Sequence, residues 1–273
     1  MPKTKTEIIG GRNPVYEVLR AGRRRVHRLV LAEGLRGRGR LQQALDLATS
    51  RGIACETASR AVLDRLAANH QGLAAEVDPY PYVAVEDILE RARQAGEPPF
   101  VLLLDTLQDP QNFGTLLRTA EAVGVHGVIL PGHHSVGVTA AVVGASSGAS
   151  EHLLVALDNL SQAVQALQAA GVWVAGLENS PAARPLESVE LRGPLGLVVG
   201  SEAGGMRRLV RERCDVLLRL PMRGQVDSLN AAVAGSIALY AAWAARRYAG
   251  ARMSEAETAE PASGAPPSAG RSD

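Results

Sequence analysis

Three groups of polar and glycine residues in this chain are spaced for work on a charged ligand. The first is Asn112-x-Gly114-x-x-x-Arg118. On a helix, Gly114 lies one turn before Arg118 on the same face, which leaves open surface in front of the guanidinium. An arginine held there can fork onto a phosphate. If the helix begins near Asn112, that side chain can cap it and the free N–H groups face an anion. Spacing alone equally allows Arg118 to pair with Glu121 or Asp105 at the surface.

The second group is Gly200-x-Glu202-x-x-Gly205, where Glu202 either bonds a ligand or caps the helix that follows. The third is Leu220-Pro221-Met222-x-Gly224-x-x-x-Ser228-Leu229-Asn230. Pro221 and Gly224 make an irregular loop whose backbone groups are free to bind an adenine edge, with Ser228 and Asn230 beside it. An ordinary loop and helix cap would read the same way. No G-x-G-x-x-G fingerprint accompanies these loops, which argues against a standard dinucleotide fold.

Such groups need strands that end together. The apolar run 195–199 stops at Gly200, and a helical pattern restarts at Met206. A second run, 216–220, leads into the Pro221 loop, and Asp227-Ser228 resembles the cap of a long final helix, 228–248. Upstream, 100–104 reads as a buried parallel strand, 105–112 as a polar loop, 113–123 as a helix and 127–130 as the next strand, which is one βαβ unit. A small-residue stretch (140–149), a strand (152–155), a helix (161–170) and another strand (172–177) follow. Ligand sites in α/β folds form where parallel strands end. The last helix is apolar almost all round, so it is buried, by its own sheet or by a second subunit.

Ahead of this lies a smaller α/β module, residues 1–78. It has helices at 15–20, 41–50 and 61–68 (the last capped by Ser59), strands at 26–32, 53–56 and 73–77, and a turn at Asn69-His70-Gln71-Gly72. The stiff Asp78-Pro79-Tyr80-Pro81 run opens a linker, 79–99, that holds a helix at 85–94. From residue 251 onward the Glu/Ala/Pro/Ser tail is too polar to order itself.

The 273 residues carry a formal charge of +1, but residues 1–40 hold eleven basic side chains against Glu7, Glu17 and Glu33. A basic N-terminal block points toward nucleic acid. Cys55 and Cys214 lie far apart, and the six histidines, His133-His134 included, lack zinc spacing, so no metal site is expected. With no 18-residue apolar run and no signal-peptide core, a soluble cytoplasmic protein without membrane contact is expected.

Taken in order, DPQNFGTLLRTAEAVG, GSEAGGM and LPMRGQVDSLN resemble the three signature motifs of the SpoU (TrmH) family of S-adenosylmethionine-dependent RNA ribose 2′-O-methyltransferases. The match covers roughly residues 100–248. GGRNPVYEVL and the HQG turn resemble the ribosomal-protein-like RNA-binding domain that precedes the catalytic domain, a pairing similar to the subgroup that methylates a guanosine of 23S ribosomal RNA. Ala231-Ala232 after SLN is a small departure from the family pattern.

The resemblance implies an α/β, parallel-sheet SPOUT methyltransferase domain (100–250) with a deep trefoil knot, working as a homodimer. It implies S-adenosylmethionine bound at Leu177, Val199, Gly200, Leu220, Met222 and Leu229. Arg118 falls on the catalytic arginine, supported by Asn112, Glu202, Ser228 and Asn230. Arg12, Arg23, Arg24, Arg25 and His70 are the expected RNA contacts. Guanidinium is rarely deprotonated, so Arg118 is expected to grip an RNA phosphate and not to act as base. A tRNA 2′-O-methyltransferase and a non-catalytic RNA-binding factor are the alternatives.

Overall fold

The computed structural model describes residues 6–132, 136–201, 204–226 and 228–251. Glu202, Asp227, the His133-His134 pair and the tail from residue 252 onward lie outside the described residues.

The N-terminal unit runs β1 (Glu7–Gly10), α1 (Arg12–Ala21), β2 (Val26–Ala32), α2 (Arg40–Ser50), β3 (Ala54–Ala58), α3 (Arg60–Leu66) and β4 (Leu73–Val77). Its sheet has the order β1-β4-β2-β3, with β4 antiparallel to both neighbours and β2 parallel to β3. Ile9, Val15, Val18, Leu19, Leu29 and Leu41 are fully buried between α1, α2 and this sheet. Ser59 precedes α3 as expected, but its side chain makes no cap bond.

The second unit begins inside the stretch read as a linker. α4 (Val85–Ala95) is set at its start by Asp87, whose carboxylate accepts from the Ala84 N–H at 2.9 Å. It packs onto the sheet through Ile88, which fills the space that a side chain on Gly127 would need. Then follow β5 (Phe100–Asp105), α5 (Pro110–Ala122), β6 (Gly127–Pro131), α6 (Ala140–Ala145), a 3-10 turn (Ala149–His152), β7 (Leu154–Asp158), α7 (Leu160–Ala169) and β8 (Trp173–Leu177). The chain ends with β9 (Arg184–Pro185), a 3-10 turn (Leu186–Ser188), β10 (Leu195–Gly200), α8 (Arg208–Arg213), β11 (Val216–Arg219) and α9 (Ala231–Ala245).

Among the described residues the second sheet has seven strands, all parallel, in the order β7-β6-β5-β10-β8-β11-β9. β5 and β10 are buried along their whole length, as continuous apolar runs covered on both faces must be. The late strand β10 sits between β5 and β8. β9, a two-residue edge strand, and both 3-10 turns carry no periodic signal in the sequence.

Two helix starts differ from expectation. α5 begins at Pro110 and is capped by Asp109, whose carboxylate accepts from the N–H groups of Gln111 and Asn112. Asn112 is therefore inside the first turn and is not the cap. α9 is capped by Asn230, which accepts from Ala232 and Val233 at 2.9 and 3.1 Å, so the helix starts later than the expected 228.

α9 is buried on one face only. Ala231, Ala232, Gly235, Ala238, Leu239 and Ala242 meet the protein's own core. Val233, Ile237 and Tyr240, one helical face by spacing, are 43 to 48% exposed.

Candidate functional site

β8, β10 and β11 end side by side, and the loops leaving them wall a cavity of about 280 Å3. Leu177, Val199, Gly200, Leu220, Met222 and Leu229, the six residues that the family resemblance implies, all line it, with Ser228, Ala231 and Ala234 beside them. Each of these residues lies at or just past a strand end or at the start of α9, which is why scattered positions converge.

The loop after β10 is held tightly. Ser201 and Gly205 exchange both backbone hydrogen bonds, at 3.1 and 2.9 Å. A Cβ on Gly200 would lie 2.2 Å from the Gly205 carbonyl carbon, so only glycine permits this close approach. Asp105, fully buried at the end of β5, accepts from the backbone N–H and Nε of Arg207, each at 2.7 Å, and so anchors the far end of the loop. Arg118 therefore does not pair with Asp105.

On the wall of the cavity stands Glu178, which sequence reasoning missed. Arg211 grips its carboxylate from two directions, at 2.7 and 3.0 Å, and this bond holds the Glu178 carboxyl below the usual carboxylate range. Asn179, Ser201 and Arg219 were missed too. Their only signal is adjacency to the strand ends. Behind the wall, burial pushes the Cys214 thiol up to about 12, so it is an inert packing group.

α5 and α9 pack closely beside the cavity. A Cβ on Gly235 would lie 2.6 Å from Leu116 and 3.1 Å from Val199, so this glycine lets α9 settle between α5 and β10. Thr119 and Ser236 share a hydroxyl hydrogen bond of 2.9 Å across the helices. At their N-termini Asn230 Nδ2 donates to Asn112 Oδ1 at 3.1 Å, which brings the first and third motifs into contact. Gly114 has a different role from the one its spacing suggests. A Cβ there would meet Ala145 Cβ at 2.4 Å, so the glycine serves the packing of α5 on α6.

Arg118 is exposed and is not part of the cavity lining. It occupies a neighbouring depression with Thr115, Thr119, Ala122, Ala145 and Tyr240, next to the open face of α9.

A larger cavity of about 700 Å3 lies at the opposite end of the sheet, around Phe100, His126, Trp243 and Arg246. It faces the N-terminal end of β5, where parallel sheets do not place their ligand sites. Of the three motifs only the tail of the first, Glu121 to Gly124, lines it, and Asn112, Gly114 and Arg118 do not.

The N-terminal unit has its own cleft, of about 490 Å3, between Arg12, Glu33, Leu35, Arg60, Gln71 and Gly72. Arg12 leans on the turn through bonds from its Nε to the Gln71 carbonyl (3.1 Å) and from its N–H to the Gln71 amide oxygen (3.4 Å). Arg25 is exposed.

Three expected RNA contacts are engaged elsewhere. His70 is buried; its Nδ1 accepts from the Gly72 N–H and its Nε2 bonds Asp64, each at 2.9 Å, so it builds the turn. Arg24 is 5% exposed and pairs with Glu151 and Glu7. Arg23 bonds the Tyr80 hydroxyl and the carbonyls of Pro81 and Leu153. Charge counting along the chain cannot distinguish an arginine that faces solvent from one that joins two domains.

Residues 99–240 match the family model of the SpoU rRNA methylases, and residues 8–83 match that of the RNA 2′-O ribose methyltransferase substrate-binding domain. The chain belongs to the SpoU rRNA methylase family. Among relatives of this SpoU methylase, the putative TrmH family tRNA/rRNA methyltransferase YacO of Bacillus subtilis (strain 168) is 40% identical over 246 residues. That alignment covers 89% of this chain and 98% of YacO. The AdoMet-bound rRNA methyltransferase from Sinorhizobium meliloti superposes with a TM-score of 0.73 at 25% identity, covering 90% of this chain and 89% of that one. The SpoU methyltransferase AviRb from Streptomyces viridochromogenes gives a TM-score of 0.74 at 25% identity, covering 89% and 90%. Both superpositions span the two units of this SpoU methylase. Among the described residues no helix is long and apolar enough to cross a membrane.

Proposed function

We propose that this SpoU methylase uses S-adenosylmethionine to methylate a ribose 2′-hydroxyl in RNA, and that the target is a guanosine of 23S ribosomal RNA. The cavity at the ends of β8, β10 and β11 carries the proposal, because all six expected cofactor residues line it. Its chemistry suits the cofactor. Leu177, Val199, Leu220, Met222 and Leu229 offer an apolar bed for a heterocycle, and Glu178, Ser201 and Ser228 offer polar partners for ribose and amino-acid groups. Its volume is near the low end of the ~300–1,000 Å3 typical of ligand sites. The Sinorhizobium meliloti relative is described as AdoMet-bound.

The bound cofactor would supply a methyl group already activated as a sulfonium. The protein's part is then to hold the RNA, since orientation supplies much of the rate in such transfers. Arg118, exposed and always charged, grips the phosphate beside the target ribose in a bidentate fork and presents its hydroxyl. The proton leaves to that phosphate or to water. Asn112 and Asn230, joined at the start of α5 and α9, hold Arg118's helix against the cavity wall.

The exposed face of Val233, Ile237 and Tyr240 is the proposed homodimer contact, which also brackets the Arg118 depression. The cleft around Arg12, Arg60 and Gln71 is the proposed RNA entry on the N-terminal unit. A deep trefoil knot is part of the same proposal. The insertion of β10 between β5 and β8, and the return of α9 onto α5, are the path that a threaded C-terminus needs. The site of action is the cytoplasm, where ribosomal RNA is made.

The test maps 2′-O-methylation across 23S rRNA in cells with the protein, without it, and with its Arg118→Ala variant. One guanosine losing its methyl in both defective strains is the expected result. An unchanged rRNA map with a changed tRNA map would replace the substrate, and no change in either would overturn the enzymatic reading.

A further inference from the structure

The two units meet through a built joint, not through a loose tether. Arg24, in the turn between α1 and β2, crosses to the second unit. Its Nε donates to Glu151 Oε2 at 2.9 Å and its Nη2 to Glu151 Oε1. Nη1 donates to Glu7 at 3.0 Å and to the Asp78 carbonyl at 3.4 Å. Glu151 is 1% exposed, so the pair is sealed from water.

Around it, the Tyr80 hydroxyl reaches the carbonyls of Ser150 and Leu153, and the Tyr82 hydroxyl accepts from the Val138 N–H at 2.8 Å. His152 bonds Glu17 at 2.7 Å. A Cβ on Gly148 would lie 2.6 Å from Glu17 Cβ, so α1 and the Gly148 turn are in backbone-close contact. Domains joined by polar, wet interfaces move relative to one another by default. A buried bidentate ion pair whose remaining donors are also satisfied selects one geometry more than it adds stability.

This joint lies in line with both functional clefts. α1 carries Arg12 of the N-terminal cleft at one end, and Pro14 and Glu17, which touch the joint, further along. On the other side, Ala145 and Ser146, just before the joint, press directly against Gly114 of α5, one turn from Arg118. RNA cleft, α1, joint and α5 therefore form one continuous packed strip.

We infer that Arg24 and Glu151 are positioning residues that fix the reach from the RNA-binding cleft to Arg118, and that this fixed reach selects which ribose is methylated. The inference rests on the proposed RNA methylation. Arg24 is buried and lines neither the cavity at the strand ends nor the N-terminal cleft. Its effect is on where the bound RNA arrives.

The experiment uses the full-length protein with Arg24→Met, Arg24→Lys and Glu151→Gln. Cofactor affinity is measured by calorimetry with S-adenosylmethionine, the radius of gyration by small-angle scattering, and site-resolved methylation on 23S rRNA. Arg24→Met and Glu151→Gln are expected to bind cofactor as the wild type does and to show a larger radius of gyration. Methylation at the native nucleotide should fall roughly 100-fold, the scale of a misplacement of about 1 Å, with new methyl groups on neighbouring riboses. Arg24→Lys, which keeps the charge and loses the fork, should recover part of the selectivity.

If Arg24→Met fails to fold, Glu17→Gln with His152→Ala loosens the partly exposed edge of the same joint and is held to the same readouts. A folded variant of either kind with wild-type site selection and wild-type KM for RNA overturns the inference. A wild-type protein that methylates no RNA overturns the enzymatic reading itself, which is a different and recognisable result.

Discussion

Replacing Gly114 by alanine sets two known effects against each other. In a helix interior, alanine is favoured over glycine by about 1 kcal/mol, so propensity alone predicts a more stable protein. The structure predicts the opposite. The new Cβ would sit 2.4 Å from Ala145 Cβ and 2.8 Å from the Ala145 carbonyl carbon and the Ser146 nitrogen. Ordinary contact begins near 3.4 Å, so α5 and α6 must part by about 1 Å, and two of the three obstructing atoms are backbone that no rotamer change can clear.

Overpacking of this kind costs about 1–3 kcal/mol, and a clash against backbone belongs at the upper end. The net effect of Gly114→Ala is then a loss of about 1–2 kcal/mol, or a fall in Tm of roughly 2–8 °C for a chain of this size. The same substitution at Gly144 is the internal control. That glycine is exposed on α6, and a Cβ added to it would meet nothing within 4 Å, so Gly144→Ala should hold or raise Tm. A shift of α5 by about 1 Å also disturbs the Asn112–Asn230 bond of 3.1 Å, so methyl transfer is expected to fall along with stability. Thermal unfolding of both variants, with turnover measured well below Tm, checks the reasoning. A Gly114→Ala protein as stable as the wild type would refute it.

Two further outcomes follow from the same structure. Gly200→Ala would drive a methyl group into the Gly205 carbonyl and displace the loop of the cavity. Titration calorimetry should show S-adenosylmethionine binding weakened by roughly 10–100-fold, the equivalent of about 1–3 kcal/mol, and an unchanged Kd would contradict the assigned role. His126 is buried, and burial, with Arg91 adding to it against the opposing pull of Glu97, holds its pKa below the ordinary value. Below about pH 6.5 the unfolded chain therefore takes up a proton that the folded chain resists, and stability falls as pH drops through that window. His126→Asn, which can still accept from the Phe100 N–H, should flatten Tm between about pH 7.5 and 5.5, and identical slopes for both proteins would rule this histidine out as the cause.

Local pattern was enough for most of the strands and helices, though not for β1, β9 or the 3-10 turns. The runs that became β5, β8, β10 and β11 are continuous and apolar because both faces of a central parallel strand are covered. Residues at the ends of such strands are bound to converge, which is why Leu177, Val199, Gly200 and Leu220, named through the family resemblance and not through periodicity, line one cavity. The bounds of β2 and β4 were readable for a similar reason, since a strand between two turns has few alternative registers.

Tertiary structure alone decided the rest, and the physical reason is the same in each case. The partner of a polar or small residue is chosen by contacts distant in sequence. Arg24 finds Glu151 127 residues away, so an arginine counted toward the basic surface is in fact buried in the domain joint. Asn112 meets Asn230 across 118 residues, and Gly114 answers to Ala145 on another helix and not to Arg118 on its own. The last helix illustrates both halves. Its composition announced a buried helix, but which face its own sheet would cover, and that Val233, Ile237 and Tyr240 would stay open, depended on how α9 lies against α5 and β10.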